Sequence, residues 1–195
     1  VDAMRFTLSI MAAQGRNINL AEERIEGYRN FTNKIWNAAR LILATVDENH
    51  FDGKAFREAQ FNLSWPDRWI RSRLQHAIDA TVKGMREYKF NEAAEAVYQF
   101  VWHEYCDWYL ELIKRRLYGE DPTERAAAQQ TALFVLESTL RLMHPFMPFL
   151  TEEIWQMLRK IGCTEQSDIP SIMVAAYPKP DFSLVEKDLE RDADR

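Results

Sequence analysis

The stretch YRNFTNKIWNAARLIL, Tyr28 to Leu43, decides how this sequence folds. At the helical spacing of about 100° per residue, its apolar and polar side chains separate onto two opposite arcs. The apolar arc predicts a stripe buried against other helices, and it comprises Tyr28, Phe31, Ile35, Ala38, Ala39 and Ile42. The polar arc comprises Arg29, Asn30, Asn33, Lys34, Asn37 and Arg40. We therefore predict an amphipathic helix with a polar, cationic outer face.

Helical patterns continue over most of the remaining chain. Only 6 of the 195 residues are Gly and 7 are Pro, a composition that favours helices over a turn-rich β fold. The predicted fold is all-α, an antiparallel helical bundle followed by a short extended segment at 172–177. The predicted helices span residues 2–13, 19–46, 65–88, 91–116, 121–144 and 148–160. The predicted organisation is a junction segment (1–18), the bundle (19–162), and an extended segment with an acidic tail (163–195).

Several classes of protein are excluded by composition. The longest uncharged run, 126–136, is too short for a membrane span, and the charged residues Asp2 and Arg5 argue against a signal peptide. Cys106 and Cys163 lie far apart in the sequence, which indicates no disulfide framework and suits a reducing compartment. Because the chain begins with Val1, we expect it to be part of a longer protein.

Charge is segregated along the chain, although its sum is only −5. Residues 29–45 carry three cations and no carboxylate, and residues 68–89 carry six cations against two carboxylates. Residues 91–113 reverse the sign with five carboxylates, and the last fifteen residues are acidic again. An acidic protein with this distribution can present a basic face to an anionic partner such as nucleic acid.

The polar arc described above is the strongest candidate for such a face. It holds no carboxylate to pair with its cations, and three of its six residues are Asn, a mediocre helix former. Amide groups beside guanidinium groups can bind phosphates and read the edges of unpaired bases. The alternative is an ordinary solvated face, or one whose amides cap neighbouring loops.

Two further patterns have plainer explanations. The cations of 68–89 are expected to pair with carboxylates of the next helix, although one or two arginines remain candidates for phosphate contacts. Those carboxylates are Glu104, Asp107 and Glu111. The aromatic run around residues 97–112 could stack on bases, but its spacing at i+3 and i+4 predicts a buried core stripe. That stripe comprises Val97, Val101, Tyr105, Trp108 and Leu112.

Catalytic and metal-binding patterns are weak. His103, Cys106 and Asp107 share one helix, but no complementary ligand pair accompanies them, so a partly buried His and a free core Cys are favoured. His144 is assigned to a helix end. The sequence shows no defensible Ser/His/Asp arrangement, glycine-rich phosphate loop or pair of catalytic carboxylates. The residues alone therefore predict a helical bundle with a candidate RNA-binding face.

Several blocks resemble the class I aminoacyl-tRNA synthetases. DAMRF (2–6) resembles the D-A-L-R-F element that follows the catalytic domain in that family, with Met4 in place of Leu. GRNINL (15–20) and EGYRNFTNKIWNAAR (26–40) resemble the linker and first anticodon-domain helix of the valine, isoleucine and leucine subgroup. The remaining blocks look most like the valyl family, and they are VWHEYCDWYLELIK (101–114), LMHPFMPFLTEEIW (142–155) and SIMVAAYP (171–178). The resemblance extends to about Pro180.

The resemblance implies a domain that binds tRNA(Val) through its anticodon stem-loop. The parent would be a cytoplasmic ligase, expected to be monomeric, that joins valine to tRNA with ATP and magnesium. The resemblance places its catalytic and editing domains before this segment. The family's two ATP signatures, H-x-G-H and K-M-S-K-S, do not occur here. A coiled-coil arm would follow it. No cofactor, metal or catalytic residue is expected within the segment, which alone should not aminoacylate.

The resemblance also assigns roles to individual residues. The anticodon-reading task falls on the polar arc, Arg29, Asn30, Asn33, Lys34, Asn37 and Arg40. Arg5 and Arg16 become candidates for phosphate contacts along the inner side of the tRNA. Two alternatives stay open: the same domain of an isoleucyl or leucyl enzyme, and a non-catalytic helical module that binds protein. The second is disfavoured by the absence of a large exposed apolar stripe from the sequence pattern.

Overall fold

The computed structural model describes residues 1–12, 20–46, 52–164 and 168–193. Over these residues the protein is a bundle of helices without β-strands. The α-helices are α1 (Asp2–Met11), α2 (Glu22–Leu43), α3 (Gly53–Glu58), α4 (Trp65–Arg86), α5 (Phe90–Gln99), α6 (Leu110–Leu117), α7 (Pro122–Met143), α8 (Pro148–Lys160) and α9 (Lys187–Ala193). A π-helix, Phe100–Tyr109, joins α5 to α6 without a break, and 3₁₀ turns occupy Ile172–Val174 and Phe182–Leu184. None of the helices found in these ranges is long and apolar enough to cross a membrane.

The predicted all-α bundle is confirmed, with differences at some element ends. Helix α5 begins at Phe90, so Asn91 lies inside the helix instead of capping it. The segment predicted as extended begins as the 3₁₀ turn Ile172–Val174, and the acidic tail forms α9, which packs against α4. Asn19, predicted to cap α2, lies outside the described residues. Helix ends differ from the pattern because terminal turns fray and add few residues to the apolar stripe, whereas α9 is held by its packing on α4.

Most other helix ends follow from local chemistry. Ser64 and Asp67 form a capping box at the start of α4, and the Asp121 side chain caps α7 just before Pro122. Gly162, with φ of 74°, ends α8 in a left-handed conformation that suits glycine. His144 ends α7 as predicted, and its ring nitrogen Nδ1 lies 2.7 Å from a hydroxyl, the Oγ1 of Thr151.

Helix α7 forms the centre of the bundle and is buried around most of its circumference. It contacts α4, α6 and α8 along its length. The only charged side chains buried on it, Glu137 and Arg141, pair with each other at 2.7 Å. This arrangement explains the long uncharged run at 126–136, because a central helix has no solvent-facing side that calls for charges.

The π-helix sets which residues of the α5–α6 helix face the core. Its hydrogen bonds span one residue more than α-helical bonds, so each turn is longer by about one residue. The buried stripe therefore advances in steps of four, through Val97, Val101, Tyr105, Tyr109, Ile113 and Leu117. The predicted burial of Trp108 and Leu112 is wrong, because the extra residue in the turn leaves them 63% and 39% exposed. Val97, Val101 and Tyr105 are buried as predicted.

The buried carboxylate of Asp67, on α4, binds the side of the α5–α6 helix that faces the core. Asp67 is fully buried and accepts hydrogen bonds from the Tyr109 hydroxyl at 2.9 Å and from the Arg116 guanidinium at 2.7 Å. The backbone N–H of Ser64 donates to it at 3.1 Å. A buried charge is tolerated when it is paired and hydrogen-bonded in this way. The network fixes the start of α4 against the end of the α5–α6 helix.

The DAMRF element docks α1 onto the start of α8. The Asp2 carboxylate accepts from the backbone N–H groups of Phe149 and Leu150, at 3.4 and 2.6 Å. It thereby acts as the N-terminal cap that Met147 does not supply. Phe6 is fully buried in an aromatic cluster with Tyr28, Phe31, Tyr98 and Phe146. The motif therefore has a structural role within this domain.

Replacing Asp2 with Ala should lower the free energy of unfolding by about 1–2 kcal/mol. The change removes a charged cap from the first turn of α8 and leaves two backbone N–H groups there without an acceptor. Urea unfolding followed by circular dichroism measures the effect. Glu153→Ala is the control, because Glu153 is exposed on the same helix and should change the free energy by less than about 0.5 kcal/mol. Equal losses in the two variants would contradict the capping role.

Both cysteine thiols should be unreactive in the folded protein. Burial raises the pKa of Cys106 and of Cys163 to about 12, from the ordinary value of 9.0. At pH 8 the thiolate fraction is then about 1000-fold lower than for a free thiol, and the thiolate is the reactive form. Mass spectrometry after iodoacetamide treatment should find no label at pH 8 and two labels in denaturing urea. Rapid labelling of the folded protein would contradict the burial of these thiols.

Candidate nucleic-acid interface

Helix α2 is anchored by the apolar stripe that the sequence predicts. Phe31, Ile35, Ala38, Ala39 and Ile42 are all buried, and Tyr28 is half-buried against them. The ring centroids of Phe31 and Tyr98 lie 4.8 Å apart, which links α2 to α5. Tyr28 also packs on Tyr98, with ring centroids 5.8 Å apart, and partial burial raises the pKa of both phenols. The anchored stripe holds the opposite side of α2 toward solvent.

The polar arc lies on that solvent-facing side, and we call it the α2 face. Five of its six side chains are exposed: Arg29, Asn30, Asn33, Asn37 and Arg40. Within the described ranges, none of these five makes a side-chain hydrogen bond or ion pair. The amides therefore do not cap loops in that part of the chain, which was one of the plainer explanations. The face presents donors and acceptors that are available to a ligand.

Lys34 differs from the other members of the α2 face, because its ammonium is already engaged. It forms an ion pair with Asp107 and lies 4.0 Å from the ring centroid of Trp102. Both partners belong to the π-helix, so Lys34 joins the edge of the α2 face to the neighbouring helix. Sequence reasoning missed this pair, since Asp107 was expected to meet cations of 68–89. No local pattern marks the pair, because its members are 73 residues apart.

Arg5 and Arg16, the other predicted contacts, are placed differently. The Arg5 guanidinium donates to the backbone carbonyl of Pro145 at 3.3 Å, at the turn between α7 and α8. Arg5 remains exposed, so it keeps donors that face solvent. Arg16 lies outside the described residues. Phosphate contacts by these two arginines stay a prediction.

Three of the six cations in the second cationic stretch, Arg68, Arg73 and Lys89, form ion pairs with carboxylates among the described residues. Arg73 pairs with Glu104 at 2.6 Å as predicted, but Arg68 pairs with Glu186 of the C-terminal segment. Glu111 pairs with Lys114 on its own helix. The expected pairing across neighbouring helices is thus right for one pair and wrong for the others. Tertiary packing brought the acidic tail onto α4 and Asp107 onto α2, and both contacts are invisible in the local sequence.

Arg71 of this stretch packs against an aromatic ring and lines a cavity. Its guanidinium carbon lies 5.2 Å from the ring centroid of Phe134, and its buried Nε has no hydrogen-bond partner among the described residues. It lines a cavity of about 450 Å³ whose walls include no residue of α2. Arg71 therefore does not extend the α2 face.

Metal binding has no support in the geometry of the described residues. His103 Nδ1 lies 3.7 Å from a carboxylate oxygen of Asp107, but the Cys106 thiol is buried. In the ranges the structure describes, no group of three His, Cys, Asp or Glu side chains is arranged to hold an ion. The available chemistry is that of the α2 face, namely amide and guanidinium groups on a rigid helix.

Substitutions on the α2 face should leave the stability of the fold unchanged. Asn33→Ala and Arg40→Ala should each alter the free energy of unfolding by less than about 0.5 kcal/mol, because neither side chain packs against the core. Asp67→Ala is the reference for a structural residue, with an expected loss of about 3–5 kcal/mol from the orphaned Arg116 charge. Urea titration distinguishes the two classes. A large loss for Asn33→Ala would show that the face is structural.

A family model described as the anticodon-binding domain of tRNA ligase matches residues 67–195 of the chain. Curated relatives include the valine–tRNA ligase of Geobacter sulfurreducens, 50% identical over 187 residues. That of Syntrophotalea carbinolica is 52% identical over 176 residues, and that of Legionella pneumophila strain Lens is 43% identical over 195 residues. These alignments cover 96%, 90% and 99% of this chain. The chain spans only 19–20% of the length of these relatives.

A solved structure has the same fold. It is the ternary complex of Agrobacterium radiobacter K84 LeuRS with tRNA and LeuAMS. The match covers 95% of this chain and 20% of that one, with a TM-score of 0.62 and 19% sequence identity.

Proposed function

Because this chain belongs to the family of tRNA-ligase anticodon-binding domains, we propose that it holds tRNA(Val) by its anticodon stem-loop within a valine–tRNA ligase. The observation that carries this proposal is the α2 face, with five exposed amide and guanidinium side chains that have no partner in the described residues. Membership of the family implies tRNA binding. The valine identity is supported by identities of 40–52% to valine–tRNA ligases.

The α2 face offers two kinds of contact to such an RNA. Arg29 and Arg40 can neutralise phosphates, and this electrostatic term supplies much of the affinity of RNA-binding proteins. Asn30, Asn33 and Asn37 can donate to and accept from the edges of unpaired bases, which supplies the discrimination. Because α2 is held by a buried stripe, the backbone positions from which these side chains project are fixed relative to one another. On binding, the side chains would become ordered while the helix that carries them stays in place.

The aminoacylation reaction itself would take place outside this chain. We propose that the parent ligase uses ATP and magnesium in catalytic and editing domains encoded elsewhere in its sequence. The sequence has neither ATP signature, and the described ranges hold no cluster of three potential metal ligands. The role left to this domain is to hold the tRNA so that its acceptor end reaches the distant reaction centre.

The parent ligase is proposed to be cytoplasmic and monomeric. Cys106 and Cys163 are both free and buried, which suits a reducing compartment. A leucyl or isoleucyl enzyme is the second candidate, because the leucyl structure shares the fold. Its 19% identity is far below the values for valine–tRNA ligases, so the valyl assignment is preferred.

The proposal predicts anticodon-dependent binding by the α2 face. Arg29→Ala and Asn33→Ala should each weaken binding of tRNA(Val) by about 1–3 kcal/mol if the side chain reads a base, through loss of hydrogen bonds to it. Affinity is measured by titration at two salt concentrations, with an anticodon-substituted tRNA(Val) in parallel. The wild-type chain should bind the substituted tRNA more weakly, and the Asn33→Ala variant should discriminate less between the two.

Arg86→Ala provides a control with the same loss of charge. Arg86 is exposed near the end of α4 and does not belong to the α2 face, so its removal should reduce affinity no more than loss of a nonspecific phosphate contact would. Equal binding of both tRNAs by the wild-type chain would show that the α2 face contacts phosphates without reading the anticodon. No binding at low salt would overturn the proposal for this chain.

A further inference from the structure

His103 carries an exposed imidazole at the line where the π-helix meets α2. Its Nδ1 lies 3.7 Å from Oδ2 of Asp107, and the other carboxylate oxygen, Oδ1, forms the ion pair with Lys34 of the α2 face. Its ring packs edge-on against Tyr98, with ring centroids 6.3 Å apart, and Tyr98 packs in turn on Phe31 of α2. Two residues that contact α2, one before it and one after it in the chain, therefore place His103 beside that helix.

Lys34 connects His103 to the exposed amides of the α2 face. Asn30 and Asn37 stand four residues before and three residues after Lys34, so their side chains flank it on the helix surface. The side chains of Lys34, Asp107 and His103 are 24%, 43% and 52% exposed, so all three reach solvent. We call these three side chains the α2 border. The contacts make it continuous with the amides of the α2 face.

The net charge of the α2 border depends on the protonation of His103. The ion pair of Lys34 with Asp107 cancels one charge of each sign, so the border is neutral when the imidazole is neutral. Burial raises the pKa of Tyr98, and the carboxylates of Glu95 and Asp107 add to this effect, so the phenol stays neutral up to pH 8. Histidine is the side chain that changes its charge between pH 5 and 8. A proton on His103 would thus make the border cationic.

We propose that His103 is a further RNA-contacting residue, whose protonated imidazole binds a phosphate of the loop held by the α2 face. This inference rests on the proposed function and extends its interface across Lys34 onto the π-helix. Nδ1 is turned toward Asp107, and Nε2 has no hydrogen-bond partner among the described residues. Both nitrogens of an imidazolium carry a proton, so the ring can face the carboxylate with one N–H and donate to a phosphate oxygen with the other. Binding of the RNA would then take up a proton.

Titration with an RNA hairpin that has the anticodon stem and loop of tRNA(Val), at pH 5.5 and at pH 8.0, tests the proposal. One phosphate contact to a single strand carries a salt exponent of about 0.7, which corresponds to about 5-fold in affinity at 0.1 M salt relative to 1 M salt. The wild-type chain should therefore bind about 5-fold more tightly at pH 5.5, with a salt exponent larger by about 0.7. His103→Gln should lose this gain, because glutamine stays uncharged at both pH values.

Two further variants separate the charge of His103 from a structural role. His103→Arg carries a permanent cation and should bind at pH 8.0 about as tightly as the wild-type chain binds at pH 5.5. His76→Gln is the matched control, because His76 is also a partly exposed histidine beside a carboxylate, that of Glu190, but it lies on α4 against α9. This variant should keep the pH dependence of the wild-type chain.

The same pH dependence in the wild-type chain and in His103→Gln would overturn the inference. So would binding by His103→Arg at pH 8.0 that is no tighter than binding by the wild-type chain at that pH. In both cases, weakened binding of Arg29→Ala at the two pH values would leave the proposed function standing. Absence of hairpin binding by the wild-type chain at both pH values would overturn the proposed function and this inference together.

Discussion

The extra residue in the turns between α5 and α6 is the constraint on which the arrangement of this bundle depends. Four residues of an ideal α-helix advance about 40° beyond a full turn, so a stripe with that spacing would wind away from the core. The π-helix absorbs the excess and keeps Val97, Tyr105, Tyr109 and Ile113 on one side. With Tyr109 inside, its hydroxyl reaches the buried carboxylate of Asp67. The start of α4 is positioned by that contact.

The same register controls the outer surface. Because Tyr109 faces inward, Asp107 and Trp108 face outward, and Asp107 meets Lys34 of α2. The π-helix therefore decides which side chains border the α2 face. The spacing of a regular α-helix would place Trp108, three residues after Tyr105, on the apolar stripe instead. Core packing and the composition of the candidate interface are in this way two consequences of one backbone feature.

Charged side chains on different helices of the bundle have different partners. The arginines of α4 and α6 include Arg68, Arg73 and Arg116, whose guanidinium groups are held by Glu186, Glu104 and Asp67. These pairs orient neighbouring helices and the C-terminal segment. The exposed cations of α2 form no ion pair with a carboxylate in the described part of the chain. An acidic protein can thus keep a cationic surface on one helix, because several of its carboxylates pair with the cations of other helices.

The sequence by itself determined the all-α class, most helix boundaries and the two faces of α2. These depend on periodicity, capping residues and composition, all of which act over a few neighbouring residues. Tertiary structure alone decided the π-helical register, the docking of Asp2 on α8, the packing of α9 on α4, and the ion pair between Lys34 and Asp107. These contacts join residues far apart in the chain, and their free energy depends on the packing of whole helices. Local patterns therefore carry no signal for them.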